Sequence, residues 1–303
     1  MNWNKTLRCL LFTLPLLMIG AALPTPAHAQ AMNTIHIEKS LYREVLVYEQ
    51  DGERCMCFTR ECRIGRQSCI ILKDPHRFAL NYARMMMAGA LFTGAPPKRI
   101  LIVGLGGGTL PMALAEVLPD AQIDVVEIDP AVARVAKKYF GFKEGPKMTV
   151  HEVDGRVYVK RAGREGKKYD LVMLDAFDHE YIPEHLLTKE FLTEVKSLLA
   201  PEGVLVANTF SSSRLYDAES ATYASVYDKI FNLKRENRVI VARPAGLPDD
   251  ATLRQKALEY AVPLRSFGVD SESLVSLFSR TPDWDVKARV LTDQYSPANL
   301  LNR

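Results

Sequence analysis

Blocks of like charge, repeats, low-complexity stretches and long hydrophobic runs are all scarce in this chain of 303 residues. The net charge is only +3 and the basic residues are scattered, so no stripe offers itself to a nucleic-acid backbone and no nucleic-acid partner is expected. The longest apolar run, Leu10 to Leu23, falls short of the roughly 20 residues that span a bilayer comfortably, so no stable membrane span is expected. Cysteine is sparse too. Apart from Cys9, the four cysteines Cys55, Cys57, Cys62 and Cys69 sit together without a single C-x-x-C pair, which counts against a zinc knuckle. A glycine turn is present at Gly104 to Gly108, yet the full dinucleotide fingerprint is missing, because Thr109 stands where G-x-G-x-x-G needs its last glycine. That weighs against a dehydrogenase, as does the lack of any hydride-transfer constellation.

What is present begins with the first 29 residues. Lys5 and Arg8 precede the apolar run, and Ala27-His28-Ala29 follows it, which is the three-part pattern of a secretory signal with cleavage before Gln30. The mature chain is therefore expected in the periplasm or secreted. Four clustered cysteines in an exported protein read as two local disulfides, with three pairings open; a four-thiolate zinc site is the rival reading. At 48% hydrophobic residues the chain can bury a large core, and one large domain with a small appendage suits its length.

Periodicity divides the remainder. Alternating runs flank Asp51-Gly52, a hairpin signal, and a further extended stretch ends near Lys73 to Arg77, so residues 30–76 are assigned to a small antiparallel β domain. Phe78 to Phe92 reads as a mostly buried helix in which Met85, Met86 and Met87 fill core. Within 77–303, short apolar strands at Ile100–Val103, Ile123–Glu127, Met148–Glu152, Asp170–Leu174 and Val204–Asn208 alternate with helices at Thr109–Leu118, Ala131–Tyr139, Arg156–Arg164 and Thr188–Leu199. A helix at Tyr216–Phe231 and a strand at Arg238–Ala242 are expected to follow. This pattern implies an α/β fold, a doubly wound, Rossmann-like parallel sheet covered on both faces.

Ligands of such sheets bind beyond the carboxyl ends of the strands. The first strand is followed by Gly104, Gly106, Gly107 and Gly108, whose backbone amides can approach a ligand at a helix N-terminus. The second ends at Glu127, with Asp129 nearby, about 20 positions past the turn, where an acid can accept both ribose hydroxyl protons. Asp154 and Gly155 follow the third strand, placed to meet the amine of an adenine ring. Asp175 and Asp178 follow the fourth. One acid after a strand is ordinarily a solvated loop residue; four consecutive strands with a glycine or acid at the same end are a site.

The order GxGGG, Glu127-Ile128-Asp129, Asp154-Gly155 and Asp175-x-x-Asp178 resembles the spermidine synthases, the polyamine aminopropyltransferases, within the superfamily of S-adenosylmethionine-dependent methyltransferase folds. Methyltransferases of that fold commonly carry an acid two residues before the first glycine, where this chain has Ile102. The loop "LDAFDHEYIP", the ending "LTDQYSP" and a hairpin followed by a helix containing Tyr82 are similar to bacterial spermidine-synthase-like proteins. The resemblance implies decarboxylated S-adenosylmethionine as co-substrate, an amine or polyamine as acceptor, a possible homodimer, and no metal. It makes Asp175 the group that orients the attacking nitrogen and relays its proton, assisted by Tyr82, with Asp178 pairing with the substrate ammonium.

Departures from the family cluster on the amine side. An acid within its glycine turn is Gly107 here, a glutamine after the tyrosine is Ala83, a glutamate after the fifth strand gives way to Asn208 to Ser213, and "DSSDPxGP" becomes Asp175-Ala176-Phe177-Asp178-His179. Two alternatives stay open: a methyltransferase using S-adenosylmethionine itself, its carboxylate held by Arg84 or Arg156, and a non-catalytic exported protein that binds nucleosides or polyamines. His179 and His185 flank Glu180 and Glu184, but their spacing fits no metal-ligand motif.

Overall fold

The Asp51-Gly52 pair turns the chain as its composition demands. Both residues take positive φ, 50° and 82°, so two residues suffice to reverse a strand. In the computed structural model, which describes residues 32–59, 62, 65–176, 183–209 and 215–301, this hairpin belongs to a five-stranded antiparallel sheet. Its strands are β1 (Asn33–Lys39), β2 (Glu44–Gln50), β3 (Glu53–Cys57), β4 (Ser68–Ile71) and β5 (Asp74–Phe78), in sequential order. The leader expected over residues 1–29 lies outside the described residues.

The cysteines staple this sheet. Cys55 and Cys69 are register partners on β3 and β4 and form one disulfide, and Cys57 pairs with Cys62 to form the other. Of the three open pairings, the structure therefore has the one that joins Cys55 to Cys69 across the strands and closes the short Cys57–Cys62 loop within it.

Beyond the helix α1 (Asn81–Leu91) lies the alternating pattern: β6 (Arg99–Val103), α2 (Thr109–Val117), β7 (Gln122–Glu127), α3 (Pro130–Tyr139), β8 (Met148–Glu152), α4 (Gly155–Arg164), β9 (Tyr169–Leu174), α5 (Lys189–Leu198), β10 (Leu199–Thr209), α6 (Leu215–Tyr227), β11 (Ile230–Lys234) and β12 (Arg238–Ala242). The strands form one seven-stranded sheet in the order β11-β12-β10-β9-β6-β7-β8. It is parallel except at β12, which runs antiparallel to both β10 and β11. Alternation along β6 shows why both faces are covered. Ile100 and Ile102 join one core with α1 and α2, whereas Leu101 and Val103 join another with α4 and α5.

The helix α6 is shorter than the sequence pattern implies. It ends at Tyr227, Asp228 takes a positive φ of 64°, and Phe231 lies in β11. Three C-terminal helices go beyond the sequence reading: α7 (Asp250–Arg265), α8 (Ser271–Val275) and α9 (Ala298–Leu301). Among the described residues no helix is long and apolar enough to cross a membrane.

Candidate active site

Parallel strands put five chemically distinct features at one end of the sheet, in the spatial order Asp154, Glu127, the glycine turn, Asp175 and Asn208, at the carboxyl ends of strands β8, β7, β6, β9 and β10. Neighbouring strands are spaced about 4.8 Å apart, so these groups span roughly 20 Å, the length of a nucleoside with an extended tail.

The first glycine serves the site's architecture. Gly104 takes φ +104°, and a Cβ on it would lie 2.1 Å from the Asp175 carbonyl oxygen. The Asp175 amide in turn donates to the Val103 carbonyl at 2.8 Å. The ends of β6 and β9 thus close on each other, and Asp175 is fixed beside the turn. Gly106 and Gly108 also have positive φ, and Gly108 packs its α-carbon face on Phe142. Gly155 does the same for α4, since a Cβ there would meet Val103 at 2.6 Å.

Glu127 is buried and held from both sides. One oxygen accepts from the Leu105 amide at 3.1 Å and the other from the Asp129 amide at 2.9 Å. Burial pushes its carboxyl up, while those two amides and the positive charge of Arg43 act against the shift. These two bonds fix the carboxylate at the start of the glycine turn. Asp129 is structural instead. It caps α3 through the Ala131 amide and accepts from the Ser40 hydroxyl at 2.6 Å, joining the small sheet to the large one.

Asp154 caps α4 through the Val157 amide at 2.9 Å, and its second oxygen lies 2.8 Å from Nε2 of His185. The His185 bond is the main cause holding its carboxyl below the usual range. His185, left aside by motif reasoning, is thus held beside Asp154 at the end of β8. It also lines a polar cavity of about 570 Å³ with Arg156, Thr188, Asp293 and Gln294. Of the residues weighed as metal ligands, Glu184 accepts from the Asn299 amide at 3.1 Å, while His179 and Glu180 lie outside the described residues.

At the other end, Asp175 takes one hydrogen bond on each oxygen, from Tyr82 at 3.3 Å and from the Asn208 amide at 3.0 Å. Burial raises its carboxyl to about 7, against the lowering effect of those two bonds. Tyr82 is pushed well above its ordinary range by the same burial and by the Asp175 charge, so it remains a hydrogen-bond donor. Asn208 leaves its buried Oδ1 without a partner among the described residues, an acceptor beside the carboxylate. Sequence reasoning marks Asn208 only as a departure; its position after the fifth strand is the available signal. Asp178, assigned to the substrate ammonium, lies outside the described residues.

A fixed carboxylate titrating near 7 between an obligate donor and an unsatisfied acceptor can hold an amine and take its proton. Residues 79–239, more than half of the chain, match the spermine/spermidine synthase domain. This chain belongs to the spermine/spermidine synthase family. Family membership is carried further by a relative from Vibrio vulnificus called polyamine aminopropyltransferase, 48% identical over 296 residues and covering 95% of this chain and 98% of its own. Among solved structures, a probable spermidine synthase from Corynebacterium glutamicum shares the fold at 21% identity and a TM-score of 0.63, covering 85% of this chain and 96% of that one. Human methyltransferase-like protein 13, solved with SAH, is similar over 62% of this chain and 93% of that one, at 28% identity and a TM-score of 0.56.

Both guanidiniums suggested by the sequence as partners for a cofactor carboxylate are otherwise engaged in this family member. Arg156 forms bidentate bonds to Glu194 and to Asp293, at 2.7 to 2.9 Å for the closest pairs. Arg84 donates to Asn81 and to the Phe78 carbonyl and leaves its buried Nε without a partner among the described residues.

Proposed function

We propose that this chain is a polyamine aminopropyltransferase that moves the aminopropyl group of decarboxylated S-adenosylmethionine to an amine and releases methylthioadenosine. The observation that carries this reading is the Asp175 carboxyl, buried beside the glycine turn, bonded to Tyr82 and Asn208, and poised near 7.

A polyamine nitrogen is almost wholly protonated near neutral pH, like a lysine side chain. Asp175 receives one of its protons, directly or through Tyr82, and leaves a lone pair aimed at the carbon next to sulfur. The nitrogen–carbon bond forms as the carbon–sulfur bond breaks, the bonding pair stays on sulfur, and the sulfonium becomes a neutral thioether. Glu127 holds the ribose and Asp154 the adenine amine, so the reacting carbon is presented at a fixed place. Asn208 Oδ1 accepts from the incoming amine, and Asp178 pairs with its distal ammonium. With Gly107, Ala83 and Asn208 standing where acids or amides are usual, this amine site is altered relative to most of the family, and the acceptor it favours follows from that.

Export is part of the proposal: residues 1–29 have the signal pattern, and two disulfides suit an oxidising compartment. A homodimer is proposed on family resemblance alone.

The test uses the mature chain from Gln30 with disulfides formed, decarboxylated S-adenosylmethionine and a panel of diamines and polyamines, with methylthioadenosine read by mass spectrometry. Product that disappears in Asp175→Asn supports the reading. No methylthioadenosine with any amine sinks it and directs the same assay to S-adenosylmethionine and methyl transfer.

A further inference from the structure

The amino end of α1 carries positive charge that the described residues leave unbalanced. Arg84 folds its guanidinium back over the first turn, donating to Asn81 Oδ1 at 2.8 Å and to the Phe78 carbonyl, and its buried Nε has no partner among the described residues. Two more arginines converge there. Arg77, on β5, lies along the backbone of Gly268: a Cβ built on that glycine would meet Arg77 Cγ at 2.9 Å and Cζ at 3.3 Å. Arg235, in the turn between β11 and β12, donates to Ser273 Oγ on α8 at 2.7 Å. The same turn reaches α1, because Glu236 accepts from Asn81 Nδ2 at 2.9 Å.

Arginines gathered by folding ordinarily face carboxylates, since like charges close together repel. Among the described residues none of these three forms an ion pair: the Arg77 side chain has no polar partner, and Arg84 and Arg235 donate only to neutral oxygens. The acids nearby are Glu236, which takes the Asn81 amide, and Asp270, which caps α8 through the Ser273 amide at 3.2 Å. Burial lowers the Arg84 guanidinium, and the charges of Arg77 and Arg235 lower it further. The helix adds to the excess. It has no side-chain cap and no acid in its first turn, so the positive end of its dipole coincides with the Arg84 guanidinium. None of the three guanidiniums acts on Asp175, so the cluster is separate from the candidate active site.

We propose that Arg77, Arg84 and Arg235 form an anion-binding site for a phosphate group at the amino end of α1. The charge count selects the chemistry. A carboxylate would cancel one of three positive charges, whereas a phosphomonoester or a diphosphate brings two or three. Guanidiniums also present their N–H groups in the fork that phosphate oxygens accept. Exposed Arg77 and Arg235 can close on the oxygens of a ligand held at partly buried Arg84, whose Nε is a donor still unused. The site stands independently of the aminopropyl reading.

The experiment is calorimetric titration of the full mature protein with inorganic phosphate and with diphosphate, at an ionic strength held constant with sodium chloride. Saturable binding is expected, tighter for diphosphate, with a dissociation constant below about 1 mM. Arg77→Gln and Arg235→Gln should each weaken it by about tenfold or more. Arg84→Gln also strips Asn81 and the Phe78 carbonyl of a donor, so the two exposed positions carry the test. Without phosphate and at low salt, the urea midpoint of Arg77→Gln should equal or exceed that of the wild type, because a repulsion is removed. Vesicles containing phosphatidic acid separate the two sources of a phosphate group. Co-sedimentation that depends on Arg77 and Arg235, without saturable binding in solution, assigns a lipid headgroup to the site. Binding of neither kind overturns the proposal, as does binding that survives both substitutions, or a urea midpoint that falls in Arg77→Gln.

Discussion

Asp175→Asn should separate catalysis from stability, because the same burial serves one at the expense of the other. The native carboxyl titrates near 7 against 3.8 for the exposed group, a shift of about three units. At about 1.4 kcal/mol per unit, the ionised form is disfavoured in the fold by up to about 4 kcal/mol. The sign follows from proton counting. Below pH 4 both folded and unfolded chains hold the proton, and the group has no effect. Between pH 4 and 7 only the folded chain keeps it, so stability falls as pH rises. Above 7 both are ionised and the loss levels off. Asparagine carries no charge, so the variant should gain little over wild type at pH 4 and up to about 4 kcal/mol at pH 8, measured by urea unfolding across that range. Its rate of methylthioadenosine release should fall by about 10² to 10⁴, the usual worth of a positioned base. A stability difference that does not change between pH 4 and 8 would refute the claim that Asp175 is desolvated between Tyr82 and Asn208.

Gly104→Ala puts a methyl group 2.1 Å from the Asp175 carbonyl at a φ of +104°, and should cost more than about 2 kcal/mol in urea unfolding while reducing turnover out of proportion to donor affinity. Reducing the Cys55–Cys69 bond, which closes a loop with a sequence separation of 14, should lower stability by about 3 kcal/mol; comparison of Cys55→Ser/Cys69→Ser with the oxidised protein checks it. Arg238 is fully buried against Glu219 at 3.3 Å and against Ser220 and Asn232, so Arg238→Met should cost about 3 to 5 kcal/mol by leaving Glu219 unpaired, unless that carboxyl, already raised to about 7, stays protonated. The variant's unfolding free energy at pH 5 should therefore lie closer to wild type than at pH 8.

The large sheet was readable because its strands are short, apolar and separated by capped helices: Asp129, Asp154 and Thr188 each cap the helix that follows them. The end of each strand then pointed to a candidate site, and Glu127, Asp154 and Asp175 were nominated that way. Asn208 has no charge to announce it, and only its place beside Asp175 gives it meaning. The packing of Ser68 on the glycine turn was invisible for a different reason: the two are distant in sequence, and no local pattern encodes their contact. The cysteine pairing likewise needed the β3–β4 register, which sets Cys55 opposite Cys69. In α7, Pro263 inside the helix and exposed Leu258 and Val262 blur the apolar stripe that would have marked it.

Gly104 ties the two halves of this site into one mechanical part. Because its missing side chain lets the end of β6 rest directly on the Asp175 carbonyl, the turn proposed to cradle the donor and the residue proposed to handle the acceptor share a single hinge point. On that proposal, a shift that tightens the grip on the nucleoside drags the proton acceptor with it. Evolution or engineering of this pocket toward new amines is therefore steered away from the strand ends and toward the surfaces that close over them, where the small disulfide-stapled sheet can change one wall and leave the hinge untouched.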